Sequence, residues 1–143
     1  MALVFRSLHR AEKAELLNEE WLIVENTGPN LLNTAGWTVA VARRKGQRSH
    51  PLGTLKPGFV IQPGERVRLV TGTPAKKSQG EPPPEEGFRS YHLFLREPVL
   101  SRPGLVLTVL LNQLEVARAI FDPESPDGMR AETPPGGPDR ATA

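Results

Sequence analysis

Along most of the chain the apolar residues recur at every second position, in short runs broken by proline and glycine, and not at the three-to-four-residue spacing of a helix. The runs LVFRSLH (3–9), WLIVEN (21–26), GWTVAVA (36–42), ERVRLV (65–70), YHLFL (91–95), LVLTVLL (105–111) and LEVARAIF (114–121) read as strands. Trp37, Val39 and Val41 share one face of theirs. In 65–70, Val67 and Leu69 point inward while Arg66 and Arg68 point outward. About eight short strands separated by turn signals predict an all-β, immunoglobulin-like antiparallel β-sandwich or a barrel, and not a βαβ fold.

The punctuation agrees. Gly28-Pro29-Asn30, Lys56-Pro57-Gly58, Gln62-Pro63-Gly64 and Arg102-Pro103-Gly104 each set a proline, whose φ suits a turn, beside a glycine that tolerates positive φ. Asn112-Gln113 is a weaker hairpin signal, because glutamine is less comfortable than glycine at positive φ. Residues 11–20, AEKAELLNEE, fit either a helical turn or a charged connection, and the pattern leaves open whether 3–9 and 11–20 join the core.

Two segments stand apart. Residues 71–90, TGTPAKKSQGEPPPEEGFRS, form a long loop rich in proline and glycine, the type that is usually functional or disordered. Residues 123–143 have little to bury. The expected organisation is a sandwich domain over 1–122 and a disordered, acidic, Pro/Gly-rich tail over 123–143.

Composition narrows the function. The chain has 143 residues, with 15 Pro and 13 Gly, too many for a helical bundle, and no cysteine, which excludes disulfides and thiolate chemistry. The N-terminal apolar run is too short for a signal-peptide core or a membrane span, so a cytoplasmic protein is expected. The net charge is +2, and because residues 122–143 hold five acids against two arginines, the body is mildly basic. The densest cations, Arg43, Arg44, Lys45 and Arg48, fall within six residues, with Lys76 and Lys77 in the long loop as a second pair. Converging cations suit phosphate contacts, whereas dispersed ones are a solvated hairpin tip. No aromatic residue is interleaved with them to stack bases, so any nucleic-acid binding is expected to be weak and salt-dependent.

Catalytic constellations are missing from the sequence pattern. His9, His50 and His92 are far apart, no serine sits in a nucleophile elbow, and no glycine run cradles a phosphate. Glu19-Glu20 are paired in sequence, where a turn or edge hydrogen-bonding role fits better than acid–base work. The expectation is a non-enzyme without cofactor, metal site or small-molecule substrate.

LNEEWLIVENTG (17–28), Leu32, Gly36-Trp37-Thr38-Val39 and IQPGERVRLVTG (61–72) together resemble the lamin tail domain family in its bacterial form. That family runs asparagine-glutamate, an apolar strand, an asparagine-threonine-glycine turn, a leucine, a glycine-tryptophan strand, then proline-glycine before a valine-rich strand. The resemblance covers residues 17–72 and implies an immunoglobulin-like β-sandwich. It marks Asn18, Glu19, Trp21, Asn26, Gly28, Gly36, Trp37, Pro63 and Gly64 as structural motif positions. Trp37 is implied as a plug between sheets, Gly36 as a point of close backbone approach, and Pro63-Gly64 as the turn feeding the Val67 strand. The second half departs from the pattern, with Asn112-Gln113 where a final aspartate-glycine hairpin is usual.

Family members occur attached to hydrolases, as secreted modules and in nuclear filament proteins, so the resemblance does not choose a partner. The first expectation is an interaction module that binds a protein partner or its own copy through a sheet edge or the 71–90 loop. The alternative is weak polyanion binding through the basic 43–48 loop.

Overall fold

The computed structural model describes residues 3–85 and 87–132. Its strands are, in chain order, β1 (Leu3–His9), β2 (Trp21–Asn26), β3 (Leu32–Asn33), β4 (Thr38–Ala42), β5 (His50–Thr54), β6 (Val60–Ile61), β7 (Arg66–Val70), β8 (Arg89–His92), β9 (Val106–Leu111), β10 (Leu114–Phe121) and β11 (Met129–Glu132). One sheet has the order β1-β2-β7-β8 and the other β11-β10-β9-β4-β5, with β3 and β6 forming a small ladder of their own. Every pairing is antiparallel except that of β7 with β8. This is an immunoglobulin-like β-sandwich.

Alternation builds the core. In β2, Leu22 and Val24 point inward with Asn26, while Trp21, Ile23 and Glu25 are only half-buried on the other face. In β1 the register against β2 shifts between Phe5 and Ser7, a bulge that keeps Phe5 and Leu8 both inward and leaves Arg6 exposed. Leu3, Phe5, Leu8, Leu22, Val24, Val67 and Leu69 from one sheet meet Val39, Leu107, Val109, Ala117, Ala119 and Phe121 from the other. Each buried Val, Leu or Phe side chain here contributes about 1.5–3 kcal/mol. Trp37 is buried among them, as its place in the pattern predicts, and Trp37 O accepts from Leu55 N at 2.8 Å. Strand β1 therefore belongs to the core. Of residues 11–20 only Leu17–Glu19 form a 3-10 turn, with Leu17 and Asn18 buried.

Several expectations need correcting. Strand YHLFL begins earlier and ends at His92, because Phe94 adopts φ 57 and leaves the extended conformation. Gly36 is not a close approach: a Cβ there would meet nothing within 4 Å, and its need is the positive φ of 80. Residues 123–132, assigned to the tail, fold: a turn leads into β11, where Ala131 pairs with Ala119 and Met129 with Phe121. The rest of the expected tail, 133–143, lies outside the described residues. Strands β3, β5 and β6 escaped the pattern because two are a single residue pair long and β5 reads HPLGT, with proline and glycine in place of alternation.

Candidate functional site

The β4–β5 hairpin carries the densest cations. Arg43, Arg44, Lys45 and Arg48 are all exposed at its tip, where Gly46 turns the chain at φ 82 and Gln47 N donates to Arg44 O at 3.2 Å. With the Gln47 amide oriented to present its oxygen, Arg44 donates to it at 3.2 Å from both Nε and Nη2. Among the described residues no acidic side chain forms an ion pair with Arg43, Arg44 or Arg48. Ala42 pairs with Val106 and Val106 with Ile120; beyond Phe121, Asp127 O accepts from Leu8 N at 2.9 Å. Leu8 and His9 lie opposite Leu22 and Trp21, and Trp21 opposite Val70, which leads into the 71–80 loop. The hairpin tip and Lys76-Lys77 thus leave the same end of the sandwich from different sheets, as two groups in one hemisphere.

Residues 71–80 form a built arch. Asn18 is fully buried and its Nδ2 donates to Thr73 O at 2.9 Å and Gly80 O at 3.1 Å, while the Gln79 side chain accepts from Thr73 N at 2.6 Å. Gly72 and Gly80 have no room for a Cβ, which would collide with Asn18 at the first and the Glu19 carboxylate at the second. Lys76, Lys77 and Ser78 are left exposed on top. The chain returning from β8 runs beside the arch: Leu95 N donates to Thr71 O at 2.9 Å, and His92 Nδ1 lies 3.2 Å from Gly72 O. Burial pulls the His92 pKa below its ordinary value, partly offset by that contact and by the charge of Glu85. Between them Phe94 is 59% exposed at positive φ.

Residues 81–85 run as a strap over the outward face of β7, with Pro84 against Arg68. Arg68 points outward in register with Ile23, as alternation predicts, yet is only 8% exposed. Its Nη1 donates to Pro84 O at 2.9 Å, and its guanidinium lies 4.9 Å from the Trp21 ring centre and 5.3 Å from that of Phe88. Trp21 in turn stacks on His9, 4.1 Å between centres and 9° from parallel. Burial lowers the Arg68 pKa, opposed by the charge of Glu85.

Of the motif positions, Asn26, Gly28 and Pro63-Gly64 make turn contacts. Asn26 accepts from Gly28 N at 3.0 Å and donates to Asn30 O at 2.8 Å and Ile61 O at 3.1 Å, closing the turn after β2. Pro63-Gly64 makes the turn into β7, with Gly64 at φ 77 and its N–H on Asn26 O at 2.8 Å. Of the paired acids, Glu20 is the buried one. Its carboxylate accepts from Thr71 Oγ1 at 2.6 Å, Val99 N at 2.7 Å and Leu100 N at 3.1 Å. The hydrogen-bonding role expected of the Glu19-Glu20 pair falls to Glu20, in the interior and not at a turn or edge, whereas the roles of Arg68 and Phe88 were missed by sequence reasoning, since only distant partners distinguish them from ordinary polar or loop residues.

The histidines do not converge. His9 packs on Trp21, His50 is exposed at the start of β5 opposite Val41, and His92 sits on the edge strand β8. Among the described residues no group of three or more His, Asp or Glu is placed to hold a metal ion. A cleft of about 360 Å³ is lined by His9, Arg10, Trp21, Phe121 and Asp127, and one of about 330 Å³ by Arg10, Glu12, Glu20 and Pro98. Arg10 lines both, with Nη2 donating to Ser101 O at 3.1 Å. Among the described residues no helix is long and apolar enough to cross a membrane. Neither a family model nor a curated protein matches the chain.

Proposed function

We propose that this chain is a non-enzymatic, lamin-tail-like interaction module that binds a protein partner through the 71–80 arch and the adjoining Phe94. The observation that carries this reading is Phe94: a large aromatic side chain, 59% exposed and held at φ 57, beside an arch fixed from beneath by Asn18. Positive φ in a bulky residue costs about 1–2 kcal/mol, and such strain persists where the surrounding structure enforces it, often at binding surfaces. An exposed aromatic anchor at the foot of an arch that carries exposed Lys76 and Lys77 has the composition of an interface centre with a charged rim. The arch needs little ordering on binding, which favours affinity. Affinity capture with cross-linking, run in parallel on the wild-type chain and on Phe94→Ala with Lys76→Glu and Lys77→Glu, tests it. A specific partner held by the first and lost by the second is expected; identical capture by both would refute it.

A second reading, weak polyanion binding, has its own support in the exposed tip cations Arg43, Arg44 and Arg48, which form no ion pair with described acids. It predicts duplex DNA binding at low salt that declines steeply with added salt, and that charge reversal at these three positions abolishes it.

A further inference from the structure

We propose that the outward face of β7, centred on Arg68, is a docking surface for an acidic, proline-rich peptide in the extended polyproline conformation, and that residues 81–85 occupy it as an internal ligand. This surface is separate from the Phe94 arch and stands whether or not that arch binds anything.

In a two-sheet sandwich the outward face of a strand is ordinarily wet. Here Val70, which shares that face with Arg68, is 0% exposed, and Arg68 itself is nine-tenths buried. The strap that accompanies this closure is Glu81-Pro82-Pro83-Pro84-Glu85. Three successive prolines restrict φ and offer no N–H, so the segment favours an extended form in which the prolines present only carbonyls for backbone hydrogen bonding. The surface answers with the matching groups: a guanidinium donor to Pro84 O, two aromatic rings beside that guanidinium, and a backbone N–H, that of Ser90, which donates to Glu85 Oε1 at 2.9 Å. A row of aromatic rings and a fixed donor to a carbonyl are the features by which proline-rich segments are recognised.

The internal ligand fits incompletely. Arg68 Nε is buried with no hydrogen-bond partner, and no described carboxylate forms an ion pair with Arg68. A peptide that sets a carboxylate against this guanidinium satisfies the idle donor and adds a charge-assisted bond, which selects for acidic residues flanking the prolines. The strap is joined to the sandwich at both ends, so displacing it requires only local opening of an extended segment, with the sheets intact.

The test uses the synthetic peptide Gly-Glu-Pro-Pro-Pro-Glu-Glu-Gly against two full-length proteins: the wild type, and a variant whose strap is weakened by Pro82→Gly, Pro83→Ser and Pro84→Gly. Binding is read from the Trp21 indole and Arg68 side-chain signals in two-dimensional NMR, which also reports that the variant remains folded. The weakened variant is expected to bind at least ~10-fold more tightly than the wild type, because the internal competitor is gone. Adding Arg68→Lys is expected to weaken that binding by ~10-fold or more, through loss of the planar fork. Unchanged spectra at millimolar peptide in a folded variant would overturn the proposal. So would equal binding of a peptide with serines in place of prolines, or concentration-dependent dimerisation of the wild type that the strap substitutions abolish, which would make a second copy the occupant.

Discussion

The Glu20 carboxylate accepts a hydrogen bond from the Thr71 hydroxyl at 2.6 Å, across 51 residues of sequence, at a position closed to solvent. With Val99 N and Leu100 N on the same carboxylate, one side chain joins the start of β2, the exit of β7 and the segment leading to β9. A neutral amide here points an N–H at groups that are themselves donors. Glu20→Gln is expected to lower the unfolding free energy by about 1–3 kcal/mol, the range for stranding buried polar groups. Denaturant unfolding with an unchanged m-value checks this; equal midpoints would mean that residues 99–100 are held by something else.

His92 predicts a pH dependence. Burial lowers its pKa in the folded state, so the unfolded chain binds this proton more readily. Its contribution is therefore fully present above the ordinary value of 6.5 and declines as pH falls from there toward the folded-state pKa. His92→Gln is expected to flatten the change in denaturant midpoint between about pH 7 and pH 5, and a slope identical to wild type would reject the assignment.

The acid range is governed by different groups. Hydrogen bonds from Arg6 and Arg66 hold the Glu25 carboxyl below its ordinary 4.5, and one from Arg89 does the same for Glu65. Folded-state values below the unfolded one mean stability that is present above 4.5 and lost as pH falls through the lowered values. The arginines are largely exposed, so each pair contributes under about 1 kcal/mol and is screened by salt. Wild type and Glu25→Gln should differ at neutral pH and converge on acidification; a gap that persists well below pH 3 points to packing in place of charge.

At the β9–β10 hairpin, Asn112 and Gln113 stand at φ 50 and φ 68, the paired positive values of a tight two-residue turn. Glutamine is strained there and glycine is not. Gln113→Gly is expected to raise stability by up to about 1 kcal/mol, the left-handed penalty less the added freedom of the unfolded chain. A thermal melt showing a lower midpoint would mean that the Gln113 side chain holds something in place.

Phe121 and Phe94 show where sequence reasoning succeeds and fails. Phe121 ends an alternating run and is buried, whereas Phe94 lies within a run of similar appearance and is exposed at positive φ. Leu93 and Leu95 donate to Val70 O and Thr71 O, at and just past the end of β7, and those contacts set the local backbone. The motif residues were legible because Asn26, Trp37 and Gly64 mark turns and a strand by residue type, although the contacts of Asn26 with Ile61 O and Gly64 N are made across the chain. The surfaces proposed for binding were only partly legible: the cationic tip is a local cluster, but Arg68 appears in sequence as a solvated outward residue.

By itself the sequence determined the all-β class, most of the long strands, the central tryptophan and the turns between them, because alternation and positive-φ chemistry operate over a few residues. Only the tertiary structure decided that β8 pairs parallel to β7, that β11 extends the second sheet, and that the long loop divides into a pinned arch and a strap over Arg68. Those outcomes rest on pairs such as Glu20 with Leu100 and Asn18 with Gly80, separated by 80 and 62 residues. Contacts at such separations come from closing the whole sandwich, and a local pattern carries no record of them.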